Sequence, residues 1–329
     1  MLTINQNNPF QATWNDANNK LNPNKGDCLE RTIRKIKNFI FYIPNSLIAC
    51  CVNPRPESTY TPSRTVEQDQ GTISFRKEII TPDEVHLQAN VHIIENSNTH
   101  TPTIILFNPL GTSDSVHRNL KNALLNKMCN VITFDYRGLG STWRAKDLVV
   151  DGESVYQYVT NELGITANKV HFYGHSLGGA IAAQVKALHP ESQGKYVGDR
   201  TFKSVKLFLA SNCSLTRFGQ LLQQITFIIS YIFLTFPIYI LGWEWDGGQA
   251  LSIMHGEKRI IYHPNDGLIP FRASLAAVSK DNTKETIRLD SHVTSFSGTH
   301  FPPIDQHQTD EDNSALEVVT NFLMPENLH

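Results

Sequence analysis

The chain contains no run of basic residues. Its 29 Lys and Arg stand against 31 Asp and Glu, a formal net charge of −2, and they are scattered without interleaved aromatics. A nucleic-acid partner needs a basic stripe to neutralise phosphates, so no nucleic acid is expected. Cysteine is scarce. The five (Cys28, Cys50, Cys51, Cys129, Cys213) are an odd number without zinc-like spacing, which argues against a disulfide scaffold and fits free thiols in a reducing compartment. No P-loop, dinucleotide fingerprint or H-E-x-x-H appears, so no cofactor and no metal are expected. The first nine residues lack the basic start and apolar core of a secretory signal peptide.

What is present is organised unevenly. Residues 1–30 are rich in Asn, Gln and Lys without periodicity, and predict no stable structure. An apolar segment with a basic start follows at 33–52, interrupted by Pro44 and short for a bilayer span, so a packed or interfacial helix is expected. A Pro- and Ser-rich linker closes this N-terminal extension, residues 1–63. Alternating apolar and polar residues then predict an antiparallel pair over 72–80 and 84–94. Short apolar runs at 103–107, 131–136, 170–173, 205–210 and 259–262 suit central parallel strands, and 286–289 a last strand. Helical windows at 114–127, 146–163 and 178–189 separate them, and 309–322 predicts a closing helix. The alternation implies an α/β domain over 64–329 with a mostly parallel sheet.

One segment carries the chemistry. The strand-like run Val170–Tyr173 leads at once into Gly174-His175-Ser176-Leu177-Gly178-Gly179, then into an Ala-rich helix stopped by Pro190. This is G-x-S-x-G between strand and helix, the nucleophile elbow, in which a sharp turn lifts the Ser176 hydroxyl clear of the sheet. Glycines flank it because side chains there would strike the neighbouring strand and helix.

From about Gly71 onward the chain resembles the α/β-hydrolase superfamily. The elbow carries most of the resemblance. It is joined by Asp135-Tyr-Arg-Gly138-Leu-Gly140, by Tyr262-His-Pro-Asn-Asp266-Gly, and by Gly298-Thr-His300. The resemblance implies an α/β-hydrolase fold with a helical lid insertion, here about 214–256. The stretch from Asn108 to Phe202 is further similar to lipase-like effectors of intracellular bacterial pathogens. That implies a cytoplasmic or membrane-associated place, with signal-peptide-independent export into a host cell left open.

A serine needs a base, and the base an orienting acid, in the chain order Ser, acid, His. Asp266 lies in an Asn-Asp-Gly turn just beyond a strand and is the expected acid; its rival Asp290 stands only ten positions before His300. His300, in a Gly-Thr-His-Phe-Pro loop, is the expected base, with His292 next and His307 in the same region. His175 is expected to pack or tune the site, and Asp135 and Arg137 to brace their loop. Two backbone N–H groups must face the developing oxyanion. One is expected from Leu177. Many relatives have His-Gly where this chain has Asn108-Pro109, and Pro109 cannot donate; the second donor is therefore expected from Leu110, with Asn108 bracing the loop.

Residues 225–243 are uncharged and long enough to be a transmembrane candidate, yet one crossing would separate Ser176 from Asp266 and His300. A lid, re-entrant hairpin or interfacial helix pair broken near Pro237 is expected instead. The expectation is therefore a serine hydrolase of lipid-like carboxylic esters, with membrane contact through the lid or the N-terminal segment. A thioesterase or short-chain acylesterase, or a non-catalytic docking protein, are the alternatives.

Overall fold

Strand and helix patterning in this sequence builds one twisted sheet whose parallel strands all aim their C-terminal ends at the same edge. The computed structural model describes residues 67–69, 71–109, 114–137, 145–213, 245–278, 285–290 and 299–324. The expectations at 1–63 and 225–243, and those for Leu110, Gly138, Gly140, His292 and Gly298, lie outside the described residues.

The strands are β1 (Glu67–Asp69), β2 (Thr72–Ile80), β3 (His86–Ile94), β4 (Thr103–Phe107), β5 (Asn130–Phe134), β6 (Val170–His175), β7 (Tyr196–Asp199), β8 (Lys258–Tyr262) and β9 (Thr286–Arg288). They lie in the order β1-β2-β3-β5-β4-β6-β7-β8-β9. The first three and β5 pair antiparallel, and every pairing from β5–β4 to β8–β9 is parallel. β3 alternates between exposed and buried residues over much of its length, as a strand covered on one face does, whereas every residue of β4, β5 and β6 is buried.

The described helices are α1 (Arg118–Asn126), α2 (Ala145–Gln157), α3 (Leu177–Leu188), α4 (Val205–Cys213), α5 (Gly247–Ile253) and α6 (Ala315–Leu323). Side chains of β4 alternate between the two faces of the sheet. Ile105 and Phe107 join a core that includes Val155, Ile181 and Val185 of α2 and α3. Ile104 and Leu106 join one that includes Leu120, Leu124, Val319 and Leu323 of α1 and α6. Each such Ile or Leu contributes roughly 1.5–3 kcal/mol on full burial.

Two expected elements differ. The run 205–210 is helical, not a strand. Ser204 caps it, its Oγ accepting the Leu207 N–H at 3.3 Å, and the place between β6 and β8 is filled by Tyr196–Asp199. The closing helix starts at Ala315, not 309. Before it, Thr309 accepts the Asn313 N–H and Asp312 takes a φ of 59°, so 309–313 turns back on itself. Residues 247–253, inside the expected insertion, form α5.

Candidate active site

Ser176 is the N-cap of α3 and has φ 54°, ψ −120°. A non-glycine residue pays of order 1–3 kcal/mol to sit there, and does so only where its surroundings over-determine it. The surroundings are one main-chain carbonyl and one hydroxyl. The Ser176 N–H donates to the Asp199 carbonyl at 2.8 Å, and its carbonyl accepts the Thr201 hydroxyl at 2.6 Å. The glycines are needed for space. A Cβ on Gly178 would overlap the carbonyls of Phe107 and Asn108 at the end of β4, and one on Gly174 would overlap the Gly178 peptide. The elbow thus lets α3 cross the sheet at backbone distance.

The three residues singled out in the sequence come together. His300 Nε2 lies 3.0 Å from Ser176 Oγ, and His300 Nδ1 lies 2.8 Å from Asp266 Oδ2. The carboxylate can only accept, so Nδ1 carries the ring proton and Nε2 is left as acceptor for the serine hydroxyl. The other carboxylate oxygen, Asp266 Oδ1, accepts the N–H groups of Leu268 and Ile269 at 2.9 and 2.8 Å. Asp266 follows β8, His300 follows β9, and Ser176 follows β6, so all three stand at the C-terminal edge of the parallel strands, where ligands bind in open α/β sheets. Asp266 and His300 are 6% and 2% exposed, so their contact is formed away from bulk water. The His300 ring takes Asp266, not Asp290, as its acid partner.

Leu177 is buried at the start of α3, where its N–H has no intrahelical acceptor. Pro109 is buried as well. Asn108 braces the loop as expected, its Nδ2 donating to the Phe134 carbonyl at 2.9 Å and its own carbonyl accepting the Tyr136 hydroxyl at 3.3 Å. Arg137 also braces its loop. Its guanidinium reaches Asp83 at 2.6 Å and Asp151 at 2.7 Å. Asp135 is exposed.

His175 bonds the main chain of the base, its Nε2 lying 3.0 Å from the His300 carbonyl. Burial, then the Arg200 charge, keeps its pKa well below the ordinary histidine value, so it is neutral and its Nε2–H donates. Sequence reasoning missed Asp199, Arg200 and Tyr173, which form a fully buried layer beside the elbow. Burial alone would raise the Asp199 carboxyl pKa. The charge and hydrogen bonds of Arg200 and the Tyr173 hydroxyl outweigh it and hold the group ionised. No local signal marks these residues, because the main chain they hold, at Ser176 and His300, is far away in the sequence.

Among the described residues no cluster of three or more His, Cys, Asp or Glu is placed to hold a metal ion. Among the same residues, no helix is long and apolar enough to cross a membrane.

Residues 102–209 match the family model described as "alpha/beta hydrolase fold". An uncharacterized protein of Acanthamoeba polyphaga mimivirus is 26% identical over 227 residues, which cover 64% of this chain and 73% of that protein. Among solved structures, a thermophilic esterase from the Planctomycetes species Thermogutta terrifontis superposes with a TM-score of 0.52 at 14% identity, covering 77% of this chain and 96% of that one. Acetyl xylan esterase 1 from Thermoanaerobacterium superposes with a TM-score of 0.50 at 16% identity, covering 72% and 86%. With its strand order, its elbow and the matched family model, the chain has the alpha/beta hydrolase fold.

Proposed function

We propose that the protein is a serine hydrolase of carboxylic esters. The observation that carries this reading is the unbroken relay from Ser176 Oγ through His300 to Asp266, at 3.0 and 2.8 Å. In the first half-reaction Ser176 Oγ attacks the ester carbonyl while His300 Nε2 takes its proton. The carbonyl electron pair moves onto oxygen, where the Leu177 N–H and a donor from residue 110 receive it. Collapse expels the alcohol, which takes the proton back from His300 and leaves an acyl-Ser176 ester. In the second half-reaction water gives a proton to His300 and its oxygen attacks the acyl group. The acid then leaves and Ser176 regains its proton. Asp266 keeps the imidazole in the required tautomer and stabilises its cation throughout. No cofactor enters these steps.

The substrates we infer carry apolar acyl chains. The uncharged stretch 225–243, which lies between α4 and α5 in the sequence, supports this, since ligand sites for such chains are lined predominantly by apolar side chains. The same stretch and the apolar segment at 33–52 support contact with a membrane surface.

The experiment is labelling by a fluorophosphonate probe together with hydrolysis of esters of graded chain length. Wild type is expected to label, and Ser176→Ala to lose both labelling and hydrolysis while melting at nearly the same temperature. Labelling that survives in Ser176→Ala removes the reading. A rate that falls with chain length identifies a short-chain acylesterase instead, and faster turnover of matched thioesters identifies a thioesterase.

A further inference from the structure

Arg200 directly follows β7 and is 1% exposed. The acyl-transfer steps above make no use of it. A guanidinium does not shed its charge, so a buried one needs a full set of acceptors. Asp199 supplies two of them, Oδ1 to Nε and Oδ2 to Nη2, each at 2.8 Å, a bidentate pair. The Tyr173 hydroxyl donates to Asp199 Oδ2 at 2.8 Å and holds that carboxylate still. The remaining nitrogen, Nη1, faces the histidine loop. It lies 3.1 Å from the His300 carbonyl, 2.9 Å from the Pro302 carbonyl, 3.5 Å from the Thr299 carbonyl and 2.6 Å from His307 Nε2. His307 accepts that bond because burial and the Arg200 charge lower its pKa to about 4 and keep it neutral.

The same short segment holds the nucleophile. The Asp199 carbonyl accepts the Ser176 N–H, and the Thr201 hydroxyl donates to the Ser176 carbonyl. Residues 199–201 therefore grip both sides of Ser176 and the main chain of His300. Arg200 takes a φ of 44°, in the left-handed region that a residue with a Cβ avoids. The contacts on either side of it hold that backbone in place.

We propose that Arg200 is a positioning residue for acyl transfer. Its buried pair with Asp199 clamps the main chain of the histidine loop to the strand end that holds Ser176, and so sets the separation of His300 Nε2 and Ser176 Oγ. The proposal rests on the serine-hydrolase reading. It acts through geometry, not charge, which makes lysine the informative replacement. Lysine keeps the positive charge beside Asp199 but has no planar fork to reach the carboxylate and the loop carbonyls together.

The test is Arg200→Lys, compared with wild type on a soluble short-chain ester. A misplacement near 1 Å costs about 100-fold in rate, so kcat should fall by about that factor while KM changes little. The downfield proton resonance of His300 Nδ1–H should shift or broaden. A folded Arg200→Lys with wild-type kcat, or one whose loss lies wholly in KM, overturns the proposal. If that variant does not fold, Tyr173→Phe removes only the hydroxyl that steadies Asp199. It should lower kcat several-fold at constant KM, and a folded Tyr173→Phe with unchanged kcat overturns the clamp. The underlying reading is tested separately by the wild-type chain. If fluorophosphonate does not label it, the hydrolase reading fails, and the His300 resonance alone decides the clamp: altered in Arg200→Lys upholds it, unaltered overturns it.

Discussion

The nucleophile and its base are held in different ways. Ser176 is shaped by six consecutive residues, Gly174 to Gly179, and by main-chain groups of β4 and β7 that pass beside them. His300 sits on a loop held from far along the chain, by Arg200 at 100 residues' separation and His175 at 125. Steric exclusion fixes the first, because almost no alternative backbone path is open to the elbow. Charged hydrogen bonds fix the second, and these depend on a buried pair that must itself be fully satisfied. A motif records the one; the other needs no particular local spelling.

The strongest way to break the comparison is to remove the chemistry from both sides. His300→Ala should lower kcat by about 10⁶ and Asp266→Ala by about 10⁴, magnitudes set by triads that act as a unit. Adding Ser176→Ala to His300→Ala should change little more, and adding it to Asp266→Ala should bring the loss to about 10⁶ and no further. Single and double variants measured with one ester decide this, and additive losses would mean that the three side chains do not act together.

A steric change should then hurt the elbow more than the loop. Gly178→Ala places a Cβ against the Phe107 and Asn108 carbonyls, which belong to the buried end of β4 and have no room to yield. We expect a loss on the order of 3 kcal/mol in urea unfolding. Phe301→Ala beside the base removes a side chain that is 55% exposed, and should cost about 0.5 kcal/mol. Similar losses for the two would erase the distinction drawn here.

A pH-dependent effect, absent at neutral pH, sharpens the contrast along β6 itself. His171, at the start of this strand, is buried and accepts the Lys195 N–H at 2.9 Å. Burial, aided by Lys195, Lys169 and Lys186, pushes its pKa down to about 3. An unfolded histidine titrates near 6.5. Between about 6.5 and about 3 the unfolded chain therefore binds a proton that the folded chain refuses, and stability falls as the pH falls through that window. Replacing His171 with Gln should remove up to about 1.4 kcal/mol per pH unit from that slope, with hydrolysis at neutral pH intact. Urea midpoints measured across the window check it, and equal slopes for the two proteins would contradict it.

Strand β4 and the start of β6 were legible because β-branched and aromatic runs buried in a sheet have few other places to go, and β2 because its apolar and polar residues alternate. Residues 205–210 were not. An apolar run of that length fits a strand or a helix, and the Ser204 cap together with the prior occupation of the sheet position by Tyr196–Asp199 decided for helix. β7 escaped notice because it is four residues long and ends in Gly198-Asp199, types depleted in strands. Asp266 and His300 were legible from their place after late strands. Asp199 and Arg200 were not, since nothing in Gly-Asp-Arg-Thr announces a carbonyl a hundred residues away.

The sequence by itself determined the elbow, the alternation of strands and helices outside residues 196–213, and which serine, aspartate and histidine would stand at the sheet's C-terminal edge, because sterics and hydrophobic periodicity act over neighbouring residues. Only the tertiary structure decided how the histidine loop is held to the elbow. That depends on which buried donors find which acceptors, and a guanidinium can satisfy its bonds with any carbonyls the fold brings within 3 Å.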